Sequence, residues 1–188
     1  MSTTTKDAPT KNRRRPARGG SGPETTDEQN AEKGFQASEK LTDALQAVLI
    51  DLIELSIQGK QAHWNVVGTN FRDMHLQLDE IIAIARSLSD EVAERMRALE
   101  VLPDGRSETV TKTTSLPKFP ADQVDTKEVV KLVTERLEAV AGTARRVHDA
   151  VDKADPTTAD ILHVIIEKLE QYAWMVSAEH QKPRKRQA

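Results

Sequence analysis

The sequence predicts an all-α chain, a single four-helix bundle closed by one long crossover and carrying basic tails. Three observations predict it. At 188 residues the chain is long enough for one domain with its own core and too short to expect two. Aromatic residues make up 3% and Gly and Pro number eight each, a profile poor in the side chains and turn residues that an all-β chain needs. Apolar residues recur at steps of three and four along four separate stretches, the spacing that gives a helix one buried stripe.

The elements follow in order. Residues 1–30 are rich in Thr, Pro, Gly, Arg and Lys and have no apolar period, so they bury too little surface to offset the entropy of ordering and are expected to form a disordered basic arm. Residues 31–181 form the bundle, and 182–188 a basic C-terminal tail. The first helix is expected from about Gln36 to Gln61, with Leu41, Leu45, Val48, Leu49, Leu52, Leu55 and Ile57 on its buried stripe. The segment from His63 to Asn70, with a Gly and two Asn, breaks that period. Phe71 opens a second helix through Met74, Leu78, Ile81, Ile82, Ala85, Leu88, Val92 and Met96 to about Leu99. Pro103, Gly105, Pro117 and Pro120 then punctuate a Ser/Thr-rich connection of about twenty residues, longer than helix pairs usually need and long enough to cross the length of a bundle. A third helix runs from Thr126, read as its cap, to Val151 and ends at Asp155-Pro156; a fourth runs from about Thr157 to His180. Four long helices with one long crossover describe a ferritin-like bundle better than one built with short loops only.

The net charge of −3 conceals a division: residues 1–23 carry +5 and residues 182–188 carry +4, which leaves −12 for the body between them. No apolar run approaches the ~20 residues that span a bilayer, and the N-terminal stretch lacks the apolar core of a secretory signal, so a soluble, cytoplasmic chain is expected. Without cysteine there is no disulfide, thiolate metal site or thiol nucleophile, and any metal chemistry rests on His, Asp and Glu.

One constellation fits such chemistry. The second helix holds His75 and Asp79, then Asp90 and Glu94, each pair at i, i+4 and so on one face. Eleven residues separate Asp79 from Asp90, about 16 Å along the axis on nearly the same stripe, too far for both pairs to hold one ion. Either two incomplete sites exist, or an antiparallel copy of this helix brings the second pair of one subunit to the first pair of another, which a two-fold dimer does twice over. His63 is placed to add a third ligand beside His75. Apolar neighbours such as Leu78, Ile82, Leu88 and Val92 argue that these acids are buried and therefore need partners, whereas in a chain with 30% charged residues i, i+4 acids also occur as a solvated face. Trp64 reads as an electron relay beside His63 or as a core aromatic at a helix end, and Asp149 and Asp152 as an ion pore or a solvated face.

The run His63-Trp64-Asn65-Val66-Val67-Gly68, then Phe71, His75, Asp79 and Asp90-Glu91-Val92-Ala93-Glu94-Arg95, resembles the Dps proteins, the DNA-protecting miniferritins of starved bacterial cells. Leu169-Glu170-Gln171-Tyr172-Ala173-Trp174-Met175 is similar to the closing segment of that family. The resemblance implies a hollow dodecamer with an iron ferroxidase centre at each dimer interface. His63, His75 and Asp79 would come from one subunit and Asp90 and Glu94 from its partner, with all five family ligand positions filled. It further implies oxidation of iron(II) by hydrogen peroxide or oxygen, storage of the ferric product, and protection of DNA from oxidative damage in the nucleoid.

Arg13, Arg14, Arg15 and Arg18 with the C-terminal Lys and Arg residues suit sequence-independent binding of DNA phosphates, strengthened by many copies; the alternative is that these arms fold back on the acidic body. Two other functions stay open: a nucleoid-compacting structural protein whose intersubunit metal site is only a clamp, and a zinc or manganese store without a DNA partner.

Overall fold

The computed structural model describes Met1 and residues 35–183. The chain divides into two compact units, Met1–Phe35 and Gln36–Ala188, and every element below belongs to the second. Apart from Met1, the expected arm over 1–30 lies outside the described residues, as do residues 184–188 of the expected tail.

Helix α1 spans Glu39–Asn65 and α2 spans Phe71–Ala98. Ser38 caps α1, its hydroxyl accepting from the Leu41 N–H at 3.3 Å. Leu41, Leu45, Val48, Leu49, Leu52 and Leu55 form the buried stripe, whereas Ile57, expected on it, is 51% exposed. The helix does not stop near Gln61 but continues to Asn65, so His63 stands inside its last turn. Small and polar residues hold this end. Gly59 lets α2 approach so closely that a Cβ there would lie 2.8 Å from Ile82 Cγ1, and Gln58 is buried and donates to Pro117 O. The helix ends where Val66 turns extended (φ −70°, ψ 138°), and Gly68, whose φ of +112° lies in a region side chains rarely adopt, makes the turn that follows.

The crossover is not featureless. It contains a short helix, α3 (Ser107–Thr113), whose single buried residue is Val110, and ends in a two-residue strand, β2 (Val124–Asp125). This strand pairs in parallel with β1 (Val66–Val67), Val66 opposite Val124. Helix α4 spans Thr126–Ala154 and α5 spans Pro156–Ala178. The cap of α4 is Asp125 rather than Thr126: the Asp125 carboxylate accepts from the N–H groups of Lys127 at 2.9 Å and Glu128 at 3.2 Å, while Thr126 is the first helical residue and is buried. Pro156 occupies the first position of α5, where its missing N–H costs no hydrogen bond, and the helix ends at Ala178, short of His180.

The β1–β2 pairing settles the topology. It brings the end of the crossover back to the end of α1, so α4 starts where α2 started and runs in the same direction, with α1 and α5 opposed to both. Two buried polar side chains fasten the crossover on its way. Asp51 accepts from Thr114 Oγ1, Ser115 N, Ser115 Oγ and Thr143 Oγ1 at 2.6–3.0 Å. Arg136 donates to the carbonyls of Pro117 and Lys118 and to Gln58 Oε1. The core is aliphatic, led by Leu45, Leu52, Leu78, Ile81, Leu137, Leu162, Ile165 and Leu169, each side chain contributing about 1.5–3 kcal/mol on burial. Among the described residues, no helix is long and apolar enough to cross a membrane.

Candidate metal centre

The turn between α1 and α2 sets two helix ends side by side, and the cluster forms across it. His63 comes from the last turn of α1, His75 and Asp79 from the first turns of α2. One ligand atom of each lies within 4.8 Å of those of the other two. The two imidazoles stack with ring centroids 3.6 Å apart, and Phe71, one turn before His75, packs against the His75 ring at 5.2 Å. His75 Nδ1 is 3.1 Å from the carbonyl oxygen of His63. A carbonyl only accepts, so Nδ1 carries the hydrogen and Nε2 presents its lone pair.

His63 is buried, and neither of its ring nitrogens has a hydrogen-bond partner. Its Nε2 does lie 3.0 Å from Asp79 Oδ2, but without the alignment of a hydrogen bond; the contact is electrostatic. Buried nitrogens without partners carry a desolvation cost that a cation in the cluster would relieve. The donor set of two imidazoles and a carboxylate fits a borderline divalent ion. At present the cation is an ammonium: Lys60 Nζ donates to Asp79 Oδ1 at 2.7 Å. That hydrogen bond, ahead of the charge of His63, holds the Asp79 carboxyl below its ordinary value.

Asp90 and Glu94 lie farther along α2, outside this cluster. Asp79, Asp90 and Glu94 are exposed in the single chain, contrary to the expectation of burial; the apolar residues that flank them point to the other side of the helix. Trp64 is 71% exposed, so it is not a core aromatic. The Asp149 side chain is 95% exposed and Asp152 is exposed in the single chain, as both a solvated face and the lining of a pore between subunits require.

Comparison with known proteins agrees with this architecture. The family model of the ferritin-like domain matches residues 42–185. The chain is 34% identical over 131 residues to the DNA protection during starvation protein of Agrobacterium fabrum, covering 69% of this chain and 81% of that one. The chain belongs to the ferritin-like Dps family. A second member of the Dps family, DNA protection during starvation protein 2 of Deinococcus radiodurans, is 34% identical over 148 residues, 77% of this chain, but this chain spans only 60% of its length. The structure of a Dps from Microbacterium arborescens in the high iron form superposes with a TM-score of 0.71 at 29% identity, covering 78% of this chain and 98% of that one.

Lys60 is the site residue that sequence reasoning missed. It lies three positions before His63 and therefore on the same face of α1, but that relation is visible only once the helix is known to continue through His63.

Proposed function

We propose that this chain is a subunit that oxidises iron(II) and stores the ferric product, and that its basic ends hold DNA. The observation that carries the proposal is the buried His63, stacked on His75 and with Nε2 facing Asp79 at 3.0 Å. A solvated surface pair has no reason to bury an imidazole with Nδ1 unpartnered and Nε2 3.0 Å from a carboxylate oxygen. That a related Dps has been solved in a high iron form, and that relatives carry the name DNA protection during starvation protein, supports the same reading.

In this function iron(II) is the substrate. His63, His75 and Asp79 bind it, the His75 Nε2 lone pair being aimed by the Nδ1 bond to His63 O. Lys60 balances the charge of Asp79 until iron displaces it. Three ligands leave a metal ion open, and Asp90 and Glu94 of the partner subunit would complete the coordination within a two-fold pair, the hollow dodecamer following from such pairs. Two iron(II) ions then give one electron each to one hydrogen peroxide, which takes up two protons and leaves as two waters. Oxygen-rich ligands with few imidazoles bind iron(II) loosely enough to release the ferric product to a mineral.

The test is to load the protein with iron(II) anaerobically, add peroxide and follow ferric absorbance. The wild type should oxidise iron far faster than protein-free buffer, and the H75A/D79A variant should fall to the buffer rate. Equal rates for both proteins would reject the enzyme reading and leave a helical structural protein.

The DNA proposal is tested separately, by deleting residues 2–23 and 182–188. Iron oxidation should persist while retardation of duplex DNA is lost, and the full-length protein should lose affinity steeply with salt, the logarithmic slope growing by about 0.9 for each phosphate neutralised. Unchanged DNA binding after both deletions would remove the tails from the account.

A further inference from the structure

The chain has five histidines, and beside the His63–His75 pair a second pair meets on the opposite hairpin. His148 lies on α4 and His163 on α5, brought together by the turn at Asp155-Pro156. Their rings are 4.4 Å apart between centroids, and the two Nε2 atoms are 2.6 Å apart. The outer nitrogens both face carboxylates: His148 Nδ1 is 3.1 Å from Asp149 Oδ1, and His163 Nδ1 is 3.7 Å from Asp160 Oδ1.

These four distances have a chemical consequence. A carboxylate oxygen accepts, so the bond to Asp149 at 3.1 Å leaves the hydrogen on His148 Nδ1 and directs the His148 Nε2 lone pair at His163, whereas Asp160 at 3.7 Å is too far to fix the His163 tautomer. At 2.6 Å that lone pair is met either by a hydrogen on His163 Nε2 or, once that hydrogen leaves, by a metal ion held between the two nitrogens. The carboxylate behind His148 is the partner that metal-binding histidines have, since it fixes the tautomer and makes the imidazole a stronger donor. Glu167, one turn beyond His163, lines the same recess with its side chain 71% exposed, and turning that side chain towards the two rings would make it a third ligand. Arg145, which also lines it, is tied to Glu170 Oε1 at 2.6 Å, so its charge is already countered.

We propose that His148 and His163 form a second divalent-cation site, independent of the centre at His63, that clips α4 to α5 and takes a zinc-class ion with Glu167 as third ligand. Nitrogens about 2.0–2.1 Å from a tetrahedral ion stand roughly 3.3 Å from each other, so binding needs the rings to part by under about 1 Å. The His163 side chain, 60% exposed, is free to make that movement.

The experiment uses zinc chloride in equilibrium dialysis with the full chain carrying H75A/D79A, which removes the other cluster. This protein should bind about one zinc ion per chain. Adding H148Q/H163Q should abolish that binding while leaving the helical circular dichroism unchanged. Asp149→Asn, at a side chain 95% exposed and so safe for folding, should weaken zinc about tenfold through its hydrogen bond to His148 Nδ1 alone. Equal zinc binding with and without His148 and His163, or no binding in the parent, would overturn the proposal and leave the pair bridged by a shared proton.

Discussion

Among single residues, Asp155 shows how a polar side chain at a turn links three helices. It lies buried between α4 and α5, and Arg95 from the end of α2 donates to it from Nη2 at 2.5 Å while Nε donates to Thr158 Oγ1 at 2.9 Å. The Thr158 hydroxyl donates to the same carboxylate. Burial pushes the Asp155 carboxyl up, but the hydrogen bonds from Thr158 and Arg95 outweigh it, and the group is held below its ordinary value. A carboxyl whose folded value is depressed stabilises the fold fully above its unfolded value of about 3.9, and the contribution disappears as the pH falls through the lower, folded value. Asp155→Asn should therefore cost about 1–2 kcal/mol at neutral pH. In urea titrations at pH 7, 5 and 3, the gap between wild type and variant should be constant at the first two and shrink at the third. A gap that widens towards acid would mean that the carboxylate does not gain from these bonds.

Among elements, the crossover decides the fold, because only a connection of that length lets α2 and α4 run in the same direction. Asp51 is its main anchor: it is buried on α1 and accepts from Thr114, Ser115 and Thr143, so it ties the connection to α1 and α4 together. Asp51→Ala leaves those buried donors without partners and should cost about 2–4 kcal/mol, read as a lower urea midpoint. A loss below about 0.5 kcal/mol would show that Arg136 and the β1–β2 pairing suffice. How far the elements are legible in the sequence follows from what buries them. Where aliphatic residues do so, as along α2, the period is plain and both ends come out within a residue. The end of α1 is buried instead through Gly59, Gln58 and His63, which carry no apolar period, so that end was misplaced by about one turn. Helix α3 has one buried residue, and β1 and β2 have two residues each, too few to make a pattern. The cluster was partly legible for the same reason. The i, i+4 spacing of His75 and Asp79 is a local signal, whereas the approach of His63 and Lys60 depends on how α1 packs against α2.

For the whole molecule, the open question is how the two halves of α2 work together. One chain gathers His63, His75 and Asp79 but leaves Asp90 and Glu94 exposed, about 16 Å farther along the helix axis by the helical rise from Asp79 to Asp90. A site shared across a two-fold interface makes a prediction that a site within one chain does not. Take two inactive variants, H75A/D79A and D90A/E94A, and assemble them together after dissociation. In a mixed dimer one centre receives both damaged halves and is dead. The other receives the intact His75 side from one chain and the intact Glu94 side from the other, and is whole. With random pairing half the dimers are mixed and each has one working centre of two, so the mixture should recover about a quarter of wild-type peroxide-driven iron oxidation. Sites contained within single chains recover nothing, because no chain in the mixture holds all five residues. Separately assembled variants, combined without dissociation, supply the baseline. Recovery above that baseline would place the partner subunit's Glu94 beside His75 by function alone, whereas D90A/E94A oxidising iron at the wild-type rate by itself would confine the chemistry to the cluster at the α1–α2 turn.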